Sequence, residues 1–202
     1  MPSIGRLSGS LCAAVAATIG LVGVAVAGDC AVLAKQAEQD YDIPSGLVQA
    51  IAQVESGHNP WAVAVGSKTL VRNDKDDAVR AIRSRPAKGI YVGCMQLSVK
   101  HHEWAFDDKL DMLDPAQNVD YGAQLLVELQ EATGNWSKAV QRYQGGTAAQ
   151  QQRYACKIAT KLRGIDPKSP ALAQLPRCGD KAVAKPAAAA APPVEDVPLP
   201  TF

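Results

Sequence analysis

The segment from Leu113 to Trp136, LDPAQNVDYGAQLLVELQEATGNW, constrains the fold more than any other stretch of the chain. Asp114 can cap a helix, Pro115 suits the first turn, where its missing N–H costs nothing, and Gln117 follows three residues after the cap. Val119, Gly122, Leu125, Leu126 and Leu129 recur at three- and four-residue steps and so share one helical face. The run TGNW then breaks the helix.

Further elements of the same kind fill most of the chain. Tyr41–Gly57 reads as a helix with Pro44 in its first turn and Leu47, Ala50, Ile51 and Val54 as its apolar stripe. A shorter helix over Ala31–Gln39 precedes it. Ser137 is the expected cap of a later helix whose face includes Ala139, Val140 and Tyr143, and Gly145 and Gly146 end it. Gln150–Arg163 forms the last helix, after which Asp166, Pro167, Pro170 and Pro176 terminate regular structure. The polar, charged region from Ala64 to Gly89 reads as an insertion or flap, with a short helix over Asp76–Ser84. With 202 residues, 47% of them hydrophobic, the chain can bury one ordinary core. The expectation is one mainly α domain over residues 28–166.

The two ends read differently. Arg6 followed by the apolar run LCAAVAATIGLVGVAVA, ending in Ala25-Val26-Ala27, has the form of a signal peptide over residues 1–27, with an uncleaved membrane anchor as the alternative. Asp29 stands where a lipidated Cys30 would require a small residue. Residues 167–202 are expected to form a disordered tail, because KAVAKPAAAAAPPVEDVPLPTF from Lys181 offers almost no large apolar side chain to offset the entropy of ordering. A semi-rigid spacer or partner-docking segment is the alternative reading of that run.

Export into an oxidising compartment would leave Cys30, Cys94, Cys156 and Cys178 in the mature chain. Cys94 lies in the apolar run YVGCMQL, where a buried free thiol is as reasonable as a bridge. The pairing favoured is Cys30 with Cys156, each flanking an end of the expected helix bundle, and Cys156 with Cys178 is the alternative.

Glu55 ends the stripe of the Tyr41–Gly57 helix, four residues after Ile51 and eight after Leu47. It therefore projects from the apolar face. A carboxyl half enclosed by apolar side chains loses solvation of its charged form, so its pKa rises toward the pH at which it can donate a proton. The alternative is a glutamate that marks where the buried face meets solvent.

The succession AIAQVESGHNPWAV, GIYVGCMQLS, LDPAQNVDYGAQLLVEL and NWSKAVQRYQGG resembles the soluble lytic transglycosylase catalytic domain over about Ile43 to Ile158. The resemblance implies a lysozyme-like helical fold acting on peptidoglycan, in the manner of small exported transglycosylases that accompany conjugation and type IV secretion systems. It makes Glu55 the catalytic acid and base, followed by Ser56 as in the family's Glu-Ser pair. Met95 and Gln96 match a Gly-x-Met-Gln motif that lines the sugar groove, and Tyr143 matches a tyrosine that faces the catalytic carboxylate across it; the alternatives are Met95 as core, Gln96 as a helix cap and Tyr143 as a packed aromatic. Gln144 stands where much of the family has asparagine, and Leu97 and Ser98 depart from its usual Ile-Asn. Glycosidases ordinarily use two carboxylates, yet neither Asp74, Asp76 and Asp77 nor Glu103 reads as a partner of Glu55. A lone glutamate fits a transglycosylase, which closes a 1,6-anhydro ring on the muramyl residue without water. A hydrolytic muramidase is the rival enzyme, and a weakly active glycan-binding assembly component the rival outside enzymes.

Other classes are excluded or weak. With 21 basic against 20 acidic side chains, the chain has no electrostatic case for nucleic acid. His101 and His102 are adjacent and point in different directions on a helix, and neither they, His58 nor the cysteines have a zinc spacing, so no metal and no cofactor is expected. Trp61 and Trp104 are sugar platforms or core anchors. The expected partners are glycan strands and envelope-spanning secretion or conjugation proteins, in the periplasm and off the membrane once the signal is cleaved.

Overall fold

Asp29 opens the first helix, its side chain accepting from the Ala31 N–H at 2.8 Å. The structure, a computed structural model, describes residues 29–65, 68–70 and 74–178. The signal peptide expected over 1–27 and the run from Lys181 lie outside those residues.

In chain order the elements are α1 (Cys30–Asp40), α2 (Leu47–Glu55), β1 (Val63–Val65), β2 (Lys68–Leu70), α3 (Lys75–Arg83), β3 (Ile90–Val92), β4 (Leu97–Ser98), α4 (Val99–His102), α5 (Pro115–Thr133), α6 (Trp136–Gln144) and α7 (Ala148–Ile165), with short 3-10 turns between and after them. The fold is mainly α, as the helical punctuation implies. Helix α5 packs against α1 and α6, α2 against α1 and α7, and α6 against α7, so the apolar stripes meet in one core.

Helix α5 forms as its sequence dictates. The Asp114 side chain accepts from the Gln117 N–H at 3.0 Å, Pro115 occupies the first turn, and Val119, Gly122, Leu125, Leu126 and Leu129 are all buried. Other boundaries differ from expectation. Helix α2 starts at Leu47 rather than Tyr41, because its cap comes from another helix: buried Glu38 on α1 accepts from the Gly46 and Gln49 N–H groups and from Gln49 Nε2. Asn135, not Ser137, caps α6, accepting from the Lys138 N–H at 3.1 Å. The supposed insertion supplies β2 and most of β1 to an antiparallel sheet of order β2-β1-β3-β4 whose other two strands follow it, with Val63 paired to Leu70 and Val92, and Val92 to Leu97.

The folded body also continues past residue 166. Pro170 starts a 3-10 turn (Pro170–Ala173) instead of ending structure, Ala171 and Leu175 enter the core, and Cys178 is bridged. Residues 167–178 therefore do not belong to a tail. The bridges are Cys30–Cys94 and Cys156–Cys178. The expected Cys30–Cys156 pair is wrong, and Cys94 is not a free thiol, because the turn that carries it packs onto the first residue of α1.

Candidate active site

Helices α2 and α7 run antiparallel and place one polar group each at the end of an apolar stripe. At one end of the pair a Cβ on Gly46 would lie 2.7 Å from Leu162 Cδ1. At the other end Tyr154 Oη donates to Glu55 Oε1 at 2.5 Å. Tyr154, Ile158 and Leu162 step along α7 by four residues, as Leu47, Ile51 and Glu55 do along α2, so the geometry of two stripes brings phenol and carboxyl together.

Glu55 keeps partial exposure as a residue, while its carboxyl is enclosed by the helix pair. Loss of hydration pushes its pKa up to about 7, against the lowering effects of the Tyr154 hydrogen bond and of the Lys157 charge one turn along α7. Among the described residues the neighbouring charge acting on Glu55 is thus a cation, not a second carboxylate. The acidic run Asp74–Asp77 serves its own helix: Asp74 caps α3 by accepting from Asp77 N–H, and Asp77 pairs with Arg80.

The motif GCMQ forms the tight turn that joins β3 to β4. Gly93 has φ of 78°, and a Cβ there would lie 2.3 Å from Asn118 Nδ2, so glycine is required by both backbone and space. Asn118, fully buried on α5, accepts from the Met95 N–H at 2.8 Å and donates to the Val92 and Met112 carbonyls. Gln96 follows with φ of 49°, and its Nε2 donates to the Ala62 and Gly93 carbonyls at 3.1 and 3.0 Å. Among the described residues that leaves Oε1 as the side-chain atom with no hydrogen-bond partner.

The remaining expected residues divide. Met95 is 0% exposed and packs against Gly122, where a Cβ would meet its Cγ at 2.8 Å, so it belongs to the core and its side chain lines no groove. Tyr143 neighbours Glu55, whose charge helps hold the phenol well above its ordinary pKa, burial being the larger cause. Its hydroxyl, however, donates to the Met95 carbonyl at 2.9 Å and not to the carboxyl. Ser56 turns its hydroxyl back to the Ala52 carbonyl at 3.1 Å and closes α2. Gln144, half-buried at the end of α6, bonds no other side chain among the described residues. Ser98, the second departure from the family pattern, is buried ahead of α4.

Sequence reasoning missed Tyr154 and Asn118. The signal for Tyr154 was its place on a buried stripe, since a buried phenol needs a partner for its hydroxyl. The two histidines diverge as expected, with rings at 63°, and His102 Nδ1 lies 3.0 Å from Tyr121 Oη. Trp61 packs against the core with Lys75 over its ring, whereas Trp104 is 66% exposed with Nε1 tied to the His101 carbonyl.

A family model described as the transglycosylase SLT domain matches residues 32–161. Protein IpgF of Shigella sonnei and Protein IpgF of Shigella flexneri are each 29% identical to the chain over 127 residues, 63% of this chain and 74% of theirs. No solved structure matches it. The chain belongs to the transglycosylase SLT domain family.

Proposed function

We propose that the chain is an exported lytic transglycosylase of peptidoglycan, with Glu55 as its single acid and base. The observation that carries the reading is the Glu55 carboxyl accepting from the Tyr154 hydroxyl at 2.5 Å between α2 and α7, a site where loss of hydration raises its pKa to about 7. Protonated Glu55 gives its proton to the oxygen joining N-acetylmuramic acid to N-acetylglucosamine as the glycosidic C–O bond breaks. The muramyl acetamido oxygen bonds to the cationic anomeric carbon, the task a second carboxylate performs in other glycosidases. The muramyl 6-hydroxyl then attacks that carbon, the acetamido C–O bond breaks, and Glu55 takes the hydroxyl proton. A 1,6-anhydro ring closes and the acid form of Glu55 returns, with no water consumed.

Gln96 supports the same reading. With Nε2 committed to two backbone carbonyls, its Oε1 is fixed as an acceptor for a sugar N–H or O–H. The apolar N-terminal run and the two disulfides support export to an oxidising, periplasmic compartment. The resemblance to transglycosylases that accompany conjugation and type IV secretion supports a role in opening the wall for an envelope-spanning machine.

Digestion of sacculi with wild type and Glu55→Gln, followed by mass spectrometry, tests the chemistry. Anhydromuramyl products from wild type and a loss of at least about a hundredfold in the variant are expected. Reducing-end muramic acid would instead identify a water-using muramidase, and equal lysis by the variant would end the catalytic reading.

A further inference from the structure

His58 stands three residues after Glu55 in a conformation that a side-chain-bearing residue adopts at a cost. Its φ is 63°, directly after Gly57 at 64°, and among the described residues only Asp42, His58 and Gln96 are non-glycine residues of this kind. Two of those three border the candidate site. The backbone after Glu55 folds back on α2: Gly57 N–H donates to the Gln53 carbonyl at 3.2 Å and His58 N–H to the Ala52 carbonyl at 3.3 Å. The imidazole completes that fold, with Nε2 3.0 Å from the Gln49 carbonyl. A carbonyl only accepts, so Nε2 is the donor.

Gln49 is itself clamped. Its N–H and Nε2 both donate to Glu38 on α1, at 3.0 and 2.8 Å. The residue that receives the His58 ring is therefore fixed to a second helix, and the turn after Glu55 is tied through it to the core. A glutamate at the last position of a helix otherwise sits where helices fray.

We propose that His58 is a positioning residue for Glu55: by donating from Nε2 to the Gln49 carbonyl it holds the Ser56–His58 turn against α2 and fixes the direction in which the Glu55 carboxyl leaves the helix, toward Tyr154. Glu55 is the group positioned, so the kinetic consequence rests on the function proposed above, while the structural consequence does not.

The test uses the full chain as wild type, His58→Ala, His58→Gln and His58→Asn. Carbon-detected NMR titration of the Glu55 carboxyl reads its enclosure without any need for turnover, and kcat and KM on solubilised glycan strands read its orientation. In His58→Ala the Glu55 midpoint falls by at least one pH unit, and kcat falls at least tenfold with KM changed less than twofold. Glutamine, whose amide N–H reaches as far as Nε2, restores both toward wild type. Asparagine tolerates the left-handed backbone but is too short to reach Gln49, and stays with alanine. A Glu55 midpoint in His58→Ala equal to wild type overturns the proposal, as does asparagine matching glutamine, which would leave backbone conformation alone at work. Should His58→Ala fail to fold, the glutamine–asparagine comparison decides. Absence of turnover in wild type would count against the proposed function only, and the titration would still settle the role of His58.

Discussion

Tyr154 on α7 donates its hydroxyl to Glu55 on α2 at 2.5 Å, across a sequence separation of 99 residues. The bond favours the ionised carboxyl and so opposes the desolvation that raises its pKa to about 7. Removing it lets the pKa climb further. As a general acid Glu55 works while protonated, so activity falls as pH rises through its pKa. In Tyr154→Phe the descending limb of the kcat/KM profile should therefore move to higher pH, by about one unit for a lost charge-assisted hydrogen bond. A limb that moved down, or stayed in place, would show that the phenol does not act on the carboxyl in this way.

The same shift makes a stability prediction. The unfolded carboxyl titrates near its ordinary value of about 4.5 and the folded one at about 7. Between those values the native state holds a proton that the unfolded state has released, so stability falls as pH rises through the window and levels off above it. Glutamine has no charge to bury. Glu55→Gln should be close to neutral at pH 4 and more stable than wild type at pH 8 by on the order of 2 kcal/mol, partial exposure softening the full linkage value. Urea unfolding at the two pH values, with unchanged m, measures the difference.

What could be read from the sequence was local. Asp114, Pro115 and the Val119–Leu129 stripe sit within a few turns of one another and specify α5 without help, and the place of Glu55 on the apolar face of α2 follows from counting alone. What could not be read depends on distant partners. Helix α2 begins where Glu38 of another helix caps it, and no local pattern announces that. Strands of two or three residues are too short to display a period of two, so the sheet went unread, both in the polar stretch that holds β2 and in the apolar run IYVGCMQLS that holds β3 and β4. The stripe ending in Glu55 was read and the one ending in Tyr154 was not, and their meeting required the antiparallel packing of α2 on α7. Met95 shows the converse limit, since position in a motif did not reveal that its side chain faces Gly122 in the core.

Asn118 is the buried hub of the glutamine turn, with three hydrogen bonds to backbone groups of Val92, Met95 and Met112. Asn118→Ala would strand those groups out of reach of water and should cost roughly 3 kcal/mol or more. Gln124→Ala, on the same helix, removes exposed bonds to Tyr41 and Asp120 and should stay within about 0.5 kcal/mol. Equal losses in chemical denaturation would contradict the hub role. Well below its Tm, the folded Asn118→Ala protein should also lose activity, because the turn that presents Gln96 is held through Met95 N–H.

The two disulfides make an asymmetric pair. Cys30–Cys94 joins residues 64 apart and Cys156–Cys178 residues 22 apart, so the chain-entropy model assigns them about 4 and about 3 kcal/mol. Replacing each pair with serine should therefore destabilise the protein more in the first case, by roughly 1 kcal/mol in urea unfolding. Their effects on the site differ in kind. Cys94 lies in the turn between Gly93 and Gln96, and its bridge anchors that turn to the start of α1. Cys178 anchors the segment after α7, while Tyr154 is held by its own burial in the core. At a temperature where both variants are fully folded, the Cys30→Ser/Cys94→Ser protein should show reduced turnover and the Cys156→Ser/Cys178→Ser protein turnover near wild type. The opposite ranking would mean that α7, and with it Tyr154, depends on its bridge more than the glutamine turn depends on its own.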